Sequence, residues 1–408
     1  MNGRPFRGSL GPMRGGIAAA LFLWGASWIG APARAAASPE LVYTAPQECG
    51  LEQPTLRPPT VVWPELFDSA TRRIDIEQQY LTDGESLRPS LASLRRAGER
   101  GVQIRVLVEG KLLAQSQPLL DELRGYPNTE VRVLPFAKLH GGVVHNKMLL
   151  IDGRRAYVGS QNFDWRALSH IHELGLRLDD EALVAQLQAL FEWDWAAQAL
   201  VARGADVPPL NRTRPGAQSD RPVYVVGSPY EFLPPGIGDS ETELVRLIGS
   251  AKRRLQIQVL IYAPLDYPER TYYGPIDSAL RAALVRGVKV ELLVSNWNAG
   301  APKIDWLKSL SVLPGIEIKM VSLPQSRAGF IPYARVIHSK YMVIDDETLW
   351  LGTSNWAGGY FDNSRNVEIV IRDGKLAAQA AAVHGQLWRS PYGELIDPKK
   401  IYTPPRVH

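Results

Sequence analysis

Residues 143–162 read VVHNKMLLIDGRRAYVGSQN, and residues 336–355 read VIHSKYMVIDDETLWLGTSN. His145, Lys147, Asp152, Gly159, Ser160 and Asn162 of the first stretch align with His338, Lys340, Asp345, Gly352, Thr353 and Asn355 of the second. Each stretch opens as a β-strand. Side chains two apart on a strand share a face, so each copy presents an imidazole and an ammonium to the same side. The aspartate then falls at the strand's exit into a turn.

The repetition extends outward. ATRRIDI at 70–76 parallels AKRRLQI at 251–257, and LRRAGERGVQIRVLV at 94–108 parallels LRAALVRGVKVELLV at 280–294. Three blocks in the same order, offset by 181, 186 and 193 residues, indicate two copies of one domain and not a short-period solenoid. Length agrees: 408 residues exceed what one core usually supports, and 45% apolar with 22% charged residues is soluble-globular composition.

Runs such as 102–108 and 288–294 are β-rich. They alternate with helical patterns at Leu87, Leu91, Leu94 and Ala97, at Leu183, Leu187, Leu190 and Phe191, and at Leu376, Ala380, Val383 and Leu387. Strands separated by helices predict an α/β layer architecture in each half. Between the copies, residues 203–240 hold seven prolines, which argues for a linker without regular structure. The expected organisation is residues 36–202, a linker at 203–240, and residues 241–408.

Residues 1–35 carry Arg4, Arg7, Arg14 and Arg34 and no acid, with an apolar stretch at 15–29 and a small-residue exit near Ala35. That is the pattern of a signal peptide, cleaved after Ala35 or Ala37; an uncleaved anchor is the alternative. The expectation is export to a periplasmic or secreted location. Of 46 Lys and Arg residues, four lie in this leader, and the remaining 42 balance 42 Asp and Glu. Global charge therefore gives no argument for a polyanionic partner, and an anion must be recognised locally. The lone Cys49 excludes an intramolecular disulfide and any site needing two thiols.

The HxKxxxxD run followed by G(S/T)xN, present twice, resembles the HKD motif of the phospholipase D superfamily over roughly residues 65–395. LHGGVVHNK, VGSQNFDWRALSHIHELG, IPYARVIHSKYMV and GTSNWAGGYF are most similar to the branch of endolysosomal phospholipase-D-like exonucleases and poxvirus envelope proteins. Thr353 stands where serine is frequent, and keeps the hydroxyl. The resemblance implies two homologous halves, each a mixed β-sheet flanked by helices, packed about a pseudo-twofold axis with both motifs at one active site. It also implies a covalent phosphohistidine on one histidine, with leaving-group protonation by the other. His145 is assigned as nucleophile and His338 as general acid. Glu173 and Glu368 match the carboxylates that orient these imidazoles in the family.

The residue types suit that chemistry. A phosphodiester needs a nucleophile, charge neutralisation and a protonated leaving group, and two histidines can divide the first and third tasks. Lys147 and Lys340 supply positive charge, while Asn162 and Asn355 can donate to non-bridging oxygens. No cofactor or divalent metal is required. Asp152 and Asp345 read as turn formers.

Around the motifs, Phe163, Trp165, Trp356, Tyr360 and Phe361 divide between packing the catalytic turns and contacting substrate. His140 is expected to line the cleft, and Arg166 to contact phosphate or form a structural ion pair. His170 and His172 read as exposed strand residues, not metal ligands; His384 and His408 read as incidental. Expected partners are a phospholipid, slightly favoured and with peripheral membrane-surface contact, or a single-stranded nucleic acid. A non-catalytic scaffold is disfavoured by two complete motifs. Both motifs in one chain make a monomer sufficient.

Overall fold

The computed structural model describes residues 37–216, 221–266 and 271–408; the leader at 1–35 lies outside the described residues. The first half builds one sheet from β1 (Ala37–Thr44), β2 (Arg73–Gln78), β3 (Gln103–Glu109), β4 (Thr129–Leu134), β5 (Lys147–Ile151), β6 (Arg155–Gly159) and β7 (Glu173–Asp179), in the order β1-β7-β6-β5-β2-β3-β4. The second half repeats it. Its strands are β8 (Val223–Ser228), β9 (Arg254–Val259), β10 (Lys289–Ser295), β11 (Ile316–Val321), β12 (Tyr341–Ile344), β13 (Thr348–Gly352) and β14 (Asn366–Arg372), in the order β8-β14-β13-β12-β9-β10-β11. Two short strands, Gly238–Asp239 and Gly393–Leu395, extend its edges.

Within each sheet the three strands β2-β3-β4 or β9-β10-β11 run parallel and the other pairings are antiparallel, except that the short edge strand Gly238–Asp239 runs parallel to β8. β2 and β3 are buried along nearly their whole length, as parallel strands covered on both faces must be. Helices α1 (Pro59–Asp68), α2 (Arg88–Glu99) and α3 (Leu113–Arg124) cover one face of the first sheet, in a core with Ile74, Ile76, Val106 and Val108. The long α4 (Glu181–Ala202) lies on the other face. In the second half α5 (Ser240–Ser250), α6 (Pro275–Val285), α7 (Lys303–Ser311) and α8 (Gly374–Arg389) do the same.

One core joins the halves. Leu183, Leu187 and Phe191 of α4 and Leu376, Ala380 and Val383 of α8 pack in a single cluster with Val158 and Leu176 of the first sheet and Leu351 and Ile369 of the second. Even the capping repeats: Asp180 accepts from the backbone N–H groups of Ala182 and Leu183, and Asp373 from those of Lys375 and Leu376.

The segment 203–240 departs from expectation, because β8 lies inside it and pairs antiparallel with β14, as β1 pairs with β7. The run VYVVG is β-branched and aromatic, and Pro222 and Pro229 fall just outside the strand ends, where a missing N–H breaks no ladder bond. Counting prolines without their positions obscured the strand.

Candidate active site

The two motifs meet because each is stitched to the opposite half. Val144 bridges in parallel to Arg365, with the His145 N–H donating to the Arg365 carbonyl at 2.8 Å. Ile337 likewise bridges to His172, and the His338 N–H donates to the His172 carbonyl at 2.9 Å. Each motif ring thereby lands beside the first residue of a strand from the other copy: β7 for His338, β14 for His145. Both rings wall a single cavity of about 250 Å³, together with Asn162 and Asn355.

The partners of the two rings differ in chemistry. His338 Nδ1 lies 2.9 and 3.0 Å from the two Glu173 carboxylate oxygens, whereas His145 Nδ1 lies 2.9 Å from Asn366 Oδ1. The Asn366 amide nitrogen donates to the Tyr360 carbonyl at 2.7 Å, which fixes the side chain with its oxygen toward His145; Thr353 Oγ1 donates to that same oxygen at 3.0 Å. An acceptor at Nδ1 puts the proton there and leaves Nε2 of His145 with its lone pair.

Glu368 is therefore not an orienting carboxylate for a catalytic ring. Its oxygens accept from Ser240 and Ser354, and its side chain lies against Gly352, where an added Cβ would meet Glu368 Cγ at 2.2 Å. The register explains the error. Glu173 follows His145 by twenty-eight residues and Asn366 follows His338 by twenty-eight, so Asn366 is the counterpart; Glu368 corresponds to Gly175. A slip of two along a strand keeps a residue on the same face.

Burial and charge tune the site. Burial depresses both imidazoles well below the ordinary histidine value, and the two lysine ammoniums push them further down. Burial raises Glu173 to about 7 against the opposing pull of Lys340, Ser160 and Lys147. Burial also lowers Lys340, to about 7, and Lys147, which Lys340 depresses further. Both lysines sit behind the cavity wall, each donating from Nζ to the carbonyl of its own motif histidine. Asn355 Oδ1 accepts from the Ile261 N–H, while its buried Nδ2 has no partner among the described residues; the buried Oδ1 of Asn162 is also unpartnered.

The motif aspartates hold turns. Asp152 accepts backbone N–H bonds from Thr71, Arg72 and Arg73 at 2.8 to 2.9 Å, and Asp345 accepts them from Lys252, Arg253 and Arg254 at the same distances. Burial works against their charge, but these donors outweigh it and hold both carboxyls below the usual range. Ser160 exchanges hydrogen bonds with the backbone of Leu174, and Thr353 Oγ1 accepts from the Val367 N–H.

Of the weaker candidates, the structure brings Arg166 and Tyr360 to the cavity. Arg166 is ion-paired to the buried Asp164, and the Tyr360 ring meets His145 edge-on at 5.0 Å. His140, Trp165 and Trp356 are absent from the wall. His140 packs edge-on against Phe232, Trp165 covers Gly84 and meets His170, and Trp356 is core packed against Trp350. Phe163 stacks on Trp63 and Phe361 on Tyr273, so packing accounts for both. His172 is fully buried, contrary to the expectation of an exposed residue: its backbone carries the crossing to Ile337 and its Nδ1 meets Gln258. His384 is also buried.

Five further wall residues went unread in the sequence. Gln79 and Tyr80 follow β2, Leu112 follows β3, Leu260 follows β9 and Trp297 follows β10. All five sit just past the carboxyl ends of parallel strands, where open α/β sheets bind ligands, so that rule was the available signal.

The duplicated mixed sheet thus brings the histidines of its two His-Lys motifs to one cavity. A family model described as "Cardiolipin synthase, PLD-like domain" matches residues 64–195 and 244–388, and the chain belongs to that phospholipase D-like family. It is 31% identical over 437 residues to "5'-3' exonuclease PLD3" of Rattus norvegicus, covering 94% of this chain and 87% of the relative. It is 29% identical to "Phospholipase D Z" of Dictyostelium discoideum, covering 81% and 84%. The crystal structure of phosphatidylserine synthase from Haemophilus influenzae Rd KW20 shares the fold, with a TM-score of 0.58 at 14% identity over 83% of this chain and 85% of that one. The chain is a phospholipase D-superfamily hydrolase of phosphodiester bonds.

Proposed function

We propose that the protein trims single-stranded nucleic acid as an exonuclease, through a covalent phosphohistidine on His145. The observation that carries the substrate class is the cavity lining: the side-chain amides of Gln79, Gln115, Asn162 and Asn355 stand beside the rings of Tyr80, Trp297, Tyr333 and Tyr360. Amides recognise phosphate, sugar and base edges, and rings stack on bases. Relatives that are 30–32% identical and bear the name 5'-3' exonuclease support the same reading.

The roles follow from the unequal partners. His145 is held neutral by burial and by the Lys147 and Lys340 ammoniums, while the Asn366 acceptor fixes its remaining proton on Nδ1, so its Nε2 can attack phosphorus. The His338–Glu173 pair can hold one more proton than an isolated neutral ring. Whether that proton rests on the carboxylate or on Nδ1, a proton stays on Nε2 for the leaving oxygen. The N–P bond forms as the P–O bond breaks, and the pair loses its proton. Water then attacks the phosphohistidine, the pair regains a proton, and His145 is restored. Asn355 Nδ2 is the free donor available to a non-bridging oxygen.

Phospholipid head-group hydrolysis is the second reading, supported by the 29% identical relative named Phospholipase D Z. The separating experiment incubates the protein in excess EDTA with labelled single-stranded oligonucleotide and, separately, with phosphatidylcholine or phosphatidylglycerol vesicles. Nucleotide release without head-group release is expected; head-group release alone overturns the proposal. The protein is proposed to act as an exported monomer, on the strength of its N-terminal leader and of both motifs lying in one chain. No helix among the described residues is long and apolar enough to cross a membrane.

A further inference from the structure

The pseudo-twofold repeat gives the cavity wall counterpart positions, and three of them differ in polarity while Val336 keeps a valine, Val143, as its counterpart. Around His338 the wall is Leu260, Ile171 and Val336, packed together with the indole of Trp297. Around His145, the matching positions of Leu260, Ile171 and Trp297 are Gln79, Ser364 and Lys111, which line an adjoining cavity of about 230 Å³. At these three positions the His338 end is apolar and aromatic and the His145 end polar and cationic, although Leu112, Val143 and Tyr360 also line the latter.

Trp297 is also rigidly mounted. It lies in the turn Asn296–Asn298 directly after β10. Its N–H donates to Ser295 Oγ at 3.2 Å, while the neighbouring Asn298 donates to the Leu260 and Ser295 carbonyls at 2.7 and 2.9 Å and accepts from the Tyr262 N–H. The backbone that carries the indole is thus tied to the strand ends, and a half-buried ring at a cavity wall needs no ordering when a flat ligand meets it.

We propose that Trp297, on its floor of Leu260, Ile171 and Val336, is the stacking subsite for the nucleobase on the leaving side of the scissile phosphate, and so is a specificity-determining residue. This rests on the exonuclease reading and on His338 as the acid, because the leaving oxygen is on the side of the ring that protonates it. The apolar floor suits a base and sugar face, and its polar counterpart at the His145 end suits the retained nucleotide.

The test uses single-stranded oligonucleotides that carry either a base or an abasic residue immediately beyond the scissile phosphate, with wild type, Trp297→Phe and Trp297→Ala. Stacking predicts that wild type shows a KM about tenfold higher on the abasic substrate. Trp297→Ala should show that higher KM on both substrates, Trp297→Phe should recover most of the difference, and kcat should stay within about twofold. Equal KM values of wild type on the two substrates overturn the subsite, even if Trp297→Ala fails to fold. So does a base dependence that survives in Trp297→Ala. Absence of any oligonucleotide cleavage by wild type overturns instead the exonuclease reading on which the subsite stands.

Discussion

Glu173 of the first half lies 2.9 Å from His338 of the second, while the symmetry-related position opposite His145 is occupied by Asn366. The duplicated fold thus places one carboxylate and one amide where its symmetry would allow two of either. On that inequality rests the proposed division of roles between two otherwise similar rings.

A pH profile reports it. With Glu173 raised to about 7 by burial, the His338–Glu173 pair holds its extra proton below that pH and loses it above. Loss leaves His338 Nε2 without a proton to give, so kcat/KM should fall as pH rises through about 7. His145, pushed well below its ordinary value by burial and by Lys147 and Lys340, keeps its lone pair into the acid range. The expected profile is an acidic plateau with an alkaline decline; a rate that increases from pH 6 to pH 8 contradicts it.

Replacing Asn366 by aspartate gives His145 a carboxylate partner that stabilises its protonated form. The imidazole pKa should rise, and an acid limb absent from wild type should enter the profile above about pH 5. Glu173→Gln should lower kcat by about 10²-fold or more, as expected when a general acid loses its proton partner. Unchanged profiles in both variants would remove the division of labour.

Anion binding should take up protons. Burial lowers Lys340 to about 7 and depresses Lys147 well below its ordinary value, and a phosphate-like anion between the histidines favours both ammoniums. Calorimetric titration with tungstate at pH 7.5, in buffers of different ionisation enthalpy, should give net proton uptake. Proton release on binding contradicts the electrostatic picture.

Asp345→Ala should act on stability and not on chemistry. It strips three backbone N–H groups of their acceptor, which costs about 1–3 kcal/mol, seen as a lower denaturation midpoint with kcat per folded molecule unchanged. A large loss of kcat in a folded variant would give the aspartate a catalytic part.

Much of the fold and of the site was legible because a duplication prints its constraints twice. The His-Lys-Asp spacing, the asparagines and the α/β alternation all recur, so the strands and the aspartate turns follow from periodicity; the shared face does not, because the strands begin only at Lys147 and Tyr341 and the histidines line the cavity while the lysines lie behind its wall. What escaped was either positional or non-local. Asn366 was hidden by a two-residue slip that a strand's alternation tolerates, although an equal count from each histidine finds it. β8 was hidden by the prolines that bound it. Trp297, Gln79 and Tyr80 belong to no motif; they reach the cavity because parallel strands end there, a fact of sheet topology. Trp165 and Trp356 follow their motifs closely in sequence, but helix and strand geometry turns both away from the cavity.

The most direct measurement is rapid mixing of enzyme with a phosphorus-labelled oligonucleotide, an alkaline quench that preserves phosphohistidine, and peptide mapping by mass spectrometry. The account predicts a transient adduct on the peptide containing His145, trapped to higher yield in His338→Ala with a substrate whose leaving group needs no protonation. An adduct on the peptide containing His338, or turnover with no adduct at any time point, contradicts it.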